Sequence, residues 1–157
     1  MAYPIETIQQ ARETLQYFND FHDGFITKLT LISRDTFEAD GSQVCTGTFD
    51  VEIEFAHYNY TQCPSPYDQI IAARFVDVRG FSLDLTTMSF EWSIQSFEIE
   101  VAERGRVLSD STEACFLVKL VRAVFDPNGG WQHHESNLFT FKQATFSEIQ
   151  ATDHSTS

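Results

Sequence analysis

The chain has 157 residues and a formal net charge of -13, from 23 Asp and Glu against 10 Lys and Arg. That length suits a single domain with a real core, and 42% hydrophobic with 21% charged residues is not a disordered composition. The charge disfavours binding to nucleic acid or anionic membranes and favours encounter with a basic partner.

The first predicted element is a helix over Pro4 to Phe18. Ile5, Ile8, Ala11, Leu15 and Phe18 recur at helical spacing, opposite Gln9, Gln10, Arg12, Glu13 and Gln16. Pro4 suits a first turn, and Thr7 with Gln10 offers an alternative start as a capping box one turn later. Asn19 and Asp20 favour a stop.

Everything after Gly24 reads as strands and turns. Phe25 to Arg34 is the first strand, with Ile26, Lys28, Thr30 and Ile32 on one face and Phe25, Thr27, Leu29, Leu31 and Ser33 on the other. Asp35 to Gln43 is a polar connection. Val44 to Tyr58 alternates most cleanly: Phe49, Val51, Ile53 and Phe55 point one way, Asp50, Glu52 and Glu54 the other. A loop follows over Asn59 to Asp68, where Pro64 and Pro66 block ladder hydrogen bonds. Gln69 to Val78 is the third strand, and Gly80 marks a bend before Phe81 to Leu85. In Phe90 to Glu103 the alternation set by Trp92 and Ile94 changes parity at Phe97, Ile99 and Val101, as one bulge near Ser96 would produce. Arg104-Gly105 is a turn and Val107 to Thr112 a connection. Ala114 to Phe125 is partly apolar on both faces, which suits a central strand. Asp126-Pro127-Asn128-Gly129-Gly130 is the strongest turn signal. Trp131 to Phe146 supplies the closing strand or strands, and the polar tail 150–157 is expected to fray.

The expected fold is α+β and mainly β. One N-terminal helix precedes a curved antiparallel sheet of about six to seven strands, arranged as a meander, a sandwich or a partly open barrel over residues 1–149. Fifteen Phe suit such a sheet, because rings pack well on a pleated surface. Cys45, Cys63 and Cys115 are too few and too far apart for a disulfide framework or a zinc pattern. Cys45 and Cys115 fall in strand-like runs and read as small core hydrophobes. With no signal-peptide pattern and no apolar run of membrane-spanning length, a cytoplasmic location is expected.

The acids are unevenly placed. Between Arg34 and Arg74 there is no Lys or Arg, yet Asp35, Glu38, Asp40, Asp50, Glu52, Glu54 and Asp68 occur. Between Arg79 and Arg104 the same holds for Asp84, Glu91, Glu98, Glu100 and Glu103. Solubility alone accounts for such a surface; a basic protein partner is the functional alternative, with Asp50, Glu52, Glu54, Glu98 and Glu100 as its contact residues.

Catalytic and metal patterns are weak. His22 and Asp23 form a possible polar site, although adjacent side chains diverge on a strand and such groups commonly satisfy backbone at a junction. His133 and Glu135 share a face without a third ligand, with His57 a remote candidate, so no metal or cofactor is expected. Asp50-x-Glu52-x-Glu54 lacks the glycine-bearing loop of a calcium site and the unlike environments of a glycosidase pair. Cys63 has no basic neighbour to activate it, and no nucleophile elbow occurs. Tyr58, Tyr60 and Tyr67 with His57 fit a pocket mouth or an ordinary sheet rim.

Phe21-His22-Asp23, ending a helix and opening a strand with Ile26, Leu29, Leu31, Arg34 and Asp35, resembles the start of the bacterial immunity protein 50-like group. The resemblance covers under a fifth of the chain. It implies a non-enzymatic α+β protein that binds and neutralises a partner toxin, and it assigns no functional residue. The leading expectation is therefore a non-catalytic acidic protein that binds a basic protein, such as a toxin, through a sheet face. The alternative is a small-molecule carrier with a Phe-lined apolar pocket.

Overall fold

The computed structural model describes residues 1–59, 67–82, 93–102 and 115–149. Its elements in chain order are β1 (Ala2–Ile5), α1 (Ile8–Tyr17), a single turn at Asn19–Phe21, β2 (Phe25–Ser33), β3 (Thr36–Phe37), β4 (Gln43–Val44), β5 (Phe49–Asn59), β6 (Tyr67–Val78), β7 (Ser93–Val101), β8 (Phe116–Asp126), β9 (Gly130–Phe141) and β10 (Gln143–Ile149). All pairings are antiparallel, in a five-stranded sheet of order β1-β10-β6-β5-β2, a three-stranded sheet of order β7-β8-β9, and the small β3-β4 hairpin. The protein is thus α+β and mainly β. Of the arrangements expected, it takes one with two open antiparallel sheets facing each other, and its ten described strands exceed the six or seven read from the sequence.

The two larger sheets face each other through phenylalanine. Phe55 and Phe75 of the first sheet meet Phe97, Phe139 and Phe141 of the second at ring separations of 5.0 to 6.3 Å. Burying rings of this size is the main favourable term in the fold, and the edge-to-face geometry adds to it. Helix α1 lies beside the β1 and β7 edges and buries Ala11, Leu15 and the following Phe18.

Several boundaries differ from expectation, each for a physical reason. Pro4 pairs with Thr145 in β1, an edge strand, where a missing N–H is tolerated. The helix starts four residues later, at Ile8, behind the Thr7–Gln10 capping box: the Thr7 hydroxyl accepts the Gln10 N–H at 3.2 Å, and the Gln10 side chain accepts the Thr7 N–H at 3.1 Å. The expected strand from Val44 is interrupted around Gly47, whose φ of +69° breaks the extended run, so β5 begins at Phe49. Cys45, expected in the core, is therefore exposed, and Cys115 is half-buried. A bulge at Thr27 turns Ile26 and Leu29 to the same core-facing side, although simple alternation separates them.

Other expectations hold. β8 is central in its sheet, and the β7–β8 register shifts between Ile94 and Ser96, which is the bulge read from the change in parity. The closing segment is two strands, since Lys142 marks the point where the chain leaves β9 for β10 in the other sheet. No helix among the described residues is long and apolar enough to cross a membrane. The calls on Cys63, Pro64, Pro66 and Tyr60, on 83–92, on Arg104-Gly105, on 107–112 and on the tail lie outside the described residues. So do the side chains of His57, Tyr58 and Tyr67.

Candidate acidic interface

The acids that alternation places together are divided by the topology. Asp50, Glu52 and Glu54 lie on the outer face of β5, in the five-stranded sheet, while Glu98 and Glu100 lie on the outer face of β7, in the other. They form two separate surfaces. The inward partners on each strand are buried, as expected for Val51, Ile53 and Phe55 and for Phe97 and Ile99.

The first surface is largely neutralised. Arg34 and Arg74, the two arginines that bound the base-free run, fold onto its middle. Asp50 sits between them, at 2.9 Å from Arg34 and 3.0 Å from Arg74, with only 10% of its side chain exposed. Arg74 also reaches Glu52 at 3.1 Å, and Lys28 lies 3.7 Å from Glu54. Both pairs are direct cross-strand neighbours, Glu52 with Arg74 and Glu54 with Lys28, which no strand-by-strand reading could show.

Asp50 also caps a distortion in β6. Asp77 has a φ of +57° at the point where the β5–β6 register shifts, and its N–H donates to the Asp50 carboxylate at 3.2 Å. The Asp77 carboxylate is held in turn by Lys142 at 3.0 Å. Just beyond, Arg79 and Thr140 exchange backbone hydrogen bonds of 3.0 and 2.9 Å, so β6 hands over to the edge of β9. Asp50, Asp77, Arg34, Arg74 and Lys142 thus clamp the corner where the chain passes between sheets. Sequence reasoning missed this cluster, because its members come from four separate segments.

Burial opposes ionisation of Asp50, but hydrogen bonds from Arg34, the Asp77 amide and Arg74 outweigh it and hold its pKa below 3.8. At Asp77 burial is likewise outweighed, by Lys142 and Thr48, and the pKa is again lowered. With folded pKa values below the unfolded ones, the unfolded chain takes up protons first. This stabilisation is complete above the unfolded value and is lost as pH falls through the folded values. Urea midpoints are expected to fall increasingly steeply below about pH 5, and Asp50→Asn is expected to flatten that dependence. A midpoint independent of pH in the wild-type protein would remove this role.

The second surface is more open. A groove of about 650 Å³ runs between α1 and β7, with Ile8, Arg12, Leu15 and Asp20 on one side and Phe97 to Val101 on the other. Glu98 accepts a hydrogen bond from Ser96 at 2.8 Å, and Glu100 lies 3.2 Å from Lys119, which Glu135 shares at 3.3 Å. Asp20, read in the sequence only as a helix stop, joins these acids. Burial raises its pKa, the Glu98 carboxylate adds to the rise and His22 opposes it.

His22 and Asp23 follow Asp20 at the junction between the single turn and β2. Their side chains meet at 3.1 Å, and the Gln95 amide lies 3.2 Å from His22 Nε2. The expected divergence fails because this junction is no strand: Asn19, Asp20, Phe21 and Asp23 all have φ between +52° and +62°. Non-glycine residues resist that region, and it persists only where surrounding contacts impose it. Here Phe21 is fully buried and stacks on Phe55 at 4.2 Å, while Asp23 and Gly24 bond the backbone of Ile94.

Among the described residues no group of three or more His, Cys, Asp or Glu side chains could hold a metal ion. His133, His134 and Glu135 are exposed on β9. Comparison with protein-family models, with curated proteins and with solved structures finds no match to this chain.

Proposed function

We propose that this is a non-enzymatic binding protein whose acidic surface captures a basic protein, in the manner of an immunity or inhibitor protein. The observation that carries the reading is the set of carboxylates of Asp20, Glu98 and Glu100 around an open groove, where Arg12 is the one cation among the described lining residues and Lys119 lies beside Glu100. The resemblance of Phe21-His22-Asp23 to the immunity protein 50-like group points the same way. The carrier alternative is less well supported, since the rings that would line its pocket pack against one another instead.

Glu98, which accepts from Ser96, carries more of the binding than Asp50, Glu52 and Glu54, whose charges already have cationic partners within the fold; Glu100 shares Lys119 with Glu135 and contributes through its exposure at the groove. Glu98→Lys with Glu100→Lys is expected to weaken partner capture at least about tenfold, and Glu52→Lys with Glu54→Lys by less. Capture should also weaken between about 0.05 and 0.5 M salt. Capture indifferent to both salt and the Glu98/Glu100 reversal, in protein shown to be folded, refutes the reading.

A further inference from the structure

We infer that the open edge of β7 accepts an added strand from the partner: an extended segment with basic side chains at alternate positions. This rests on the basic-partner reading above and specifies how that partner is held. The edge can be located from the ladder. The Ala102 N–H donates to the Cys115 carbonyl at 2.9 Å, and the register pairs Val101 with Phe116. In an antiparallel ladder alternate residues turn their backbone groups to the same neighbour. Ser96, Glu98, Glu100 and Ala102 therefore face β8, and Phe97, Ile99 and Val101 turn their N–H and C=O groups away from it.

No described residue pairs with that second set. The edge nevertheless pairs where the fold allows. At Ile94 the chain already adds one step of ladder, as the Asp23 N–H donates to the Ile94 carbonyl at 2.9 Å and the Ile94 N–H to the Gly24 carbonyl at 2.9 Å. The residues before Asp23, which would continue this antiparallel pairing toward Phe97, turn away at Asn19–Phe21, and the pairing stops. From Phe97 to Val101 the strand borders the groove beside α1. Five residues span about 17 Å, enough for a short added strand. Among the described residues these backbone groups have no protein partner and border an open groove, so an added strand can replace water on them.

Charge selects the occupant. Side chains of an added strand alternate between the two faces of the sheet. Those on the outer face lie beside Glu98 and Glu100, with Asp20 close by, so lysine or arginine fits at every second position. The other positions face Phe97, Ile99 and Leu15 and take apolar side chains.

The test uses the full chain and two synthetic peptides, Lys-Val-Lys-Val-Lys-Val and Glu-Val-Glu-Val-Glu-Val. At saturating lysine peptide, amide exchange at Phe97, Ile99 and Val101 is expected to slow by about tenfold or more, while Glu98 and Glu100 change little. Val101→Pro removes one outward N–H and leaves the β8 ladder intact; it should weaken the lysine peptide by about tenfold, where Val101→Thr does not. Binding without this alternation in protection overturns strand addition but leaves the acidic-surface reading standing. Alternating protection by both peptides alike overturns the basic-partner reading rather than the edge. Failure of both peptides to bind, or an edge already protected in the free protein, overturns the inference outright.

Discussion

Phe21→Ala is expected to destabilise the protein by about 3–5 kcal/mol, the usual range for truncating a fully buried ring. The loss should be at the upper end, because the ring is shared by every layer of the structure. It lies 5.6 Å from Phe18 after the helix, 4.2 Å from Phe55, 6.1 Å from Phe146 and 6.0 Å from Phe97 in the opposite sheet. These contacts also hold the backbone of Asn19 to Phe21 in its left-handed turn, so removing the ring releases the turn as well as opening a cavity. Phe21→Leu, which keeps much of the volume, should lose about half as much. Thermal and urea unfolding measure both. A loss below about 1 kcal/mol for alanine would show that the ring fills space without holding the junction.

Asp50→Ala is expected to cost about 2–3 kcal/mol. The substitution strands Arg34 and Arg74 and leaves the Asp77 N–H without its acceptor. Removing one member of a buried pair costs more than the pair contributes, because its partners keep their desolvation. Both arginines are 39% or more exposed and can turn to water, which places the expectation toward the lower end of the range for buried ions. Replacing Asp50 and Arg74 together by apolar residues should recover part of the loss, and a double-mutant cycle reads the coupling directly. If Asp50→Ala unfolds at the same urea concentration as wild type, the clamp has no energetic role.

Which parts of this structure could be read from the chain follows the range of the forces involved. Alternation at Val51, Ile53 and Phe55 is a local signal, and all three are buried. The parity change across Ile94 and Phe97 is local too, and the bulge is there. The Thr7–Gln10 capping box was visible beside Pro4, but choosing between them required knowing that β10 offers Pro4 an edge to join. The acids were the least legible feature. Whether Glu52 is a free charge depends on Arg74 lying opposite it, and that is a property of strand order. Asp20 gave no signal beyond a helix stop, since its place in the groove depends on three successive left-handed residues, one of them phenylalanine.

The outermost strand has a kinetic consequence. Among the described residues β1 joins the five-stranded sheet through β10 alone, with Ala2 opposite Ser147. Closing so long a loop is entropically expensive, and it cannot be rewarded until β10 has docked on β6. Refolding should therefore end with the arrival of Ala2 to Ile5, after the paired sheets have condensed. Pulling the two ends apart would act on the last-formed ladder first and part it one rung at a time, like a zip.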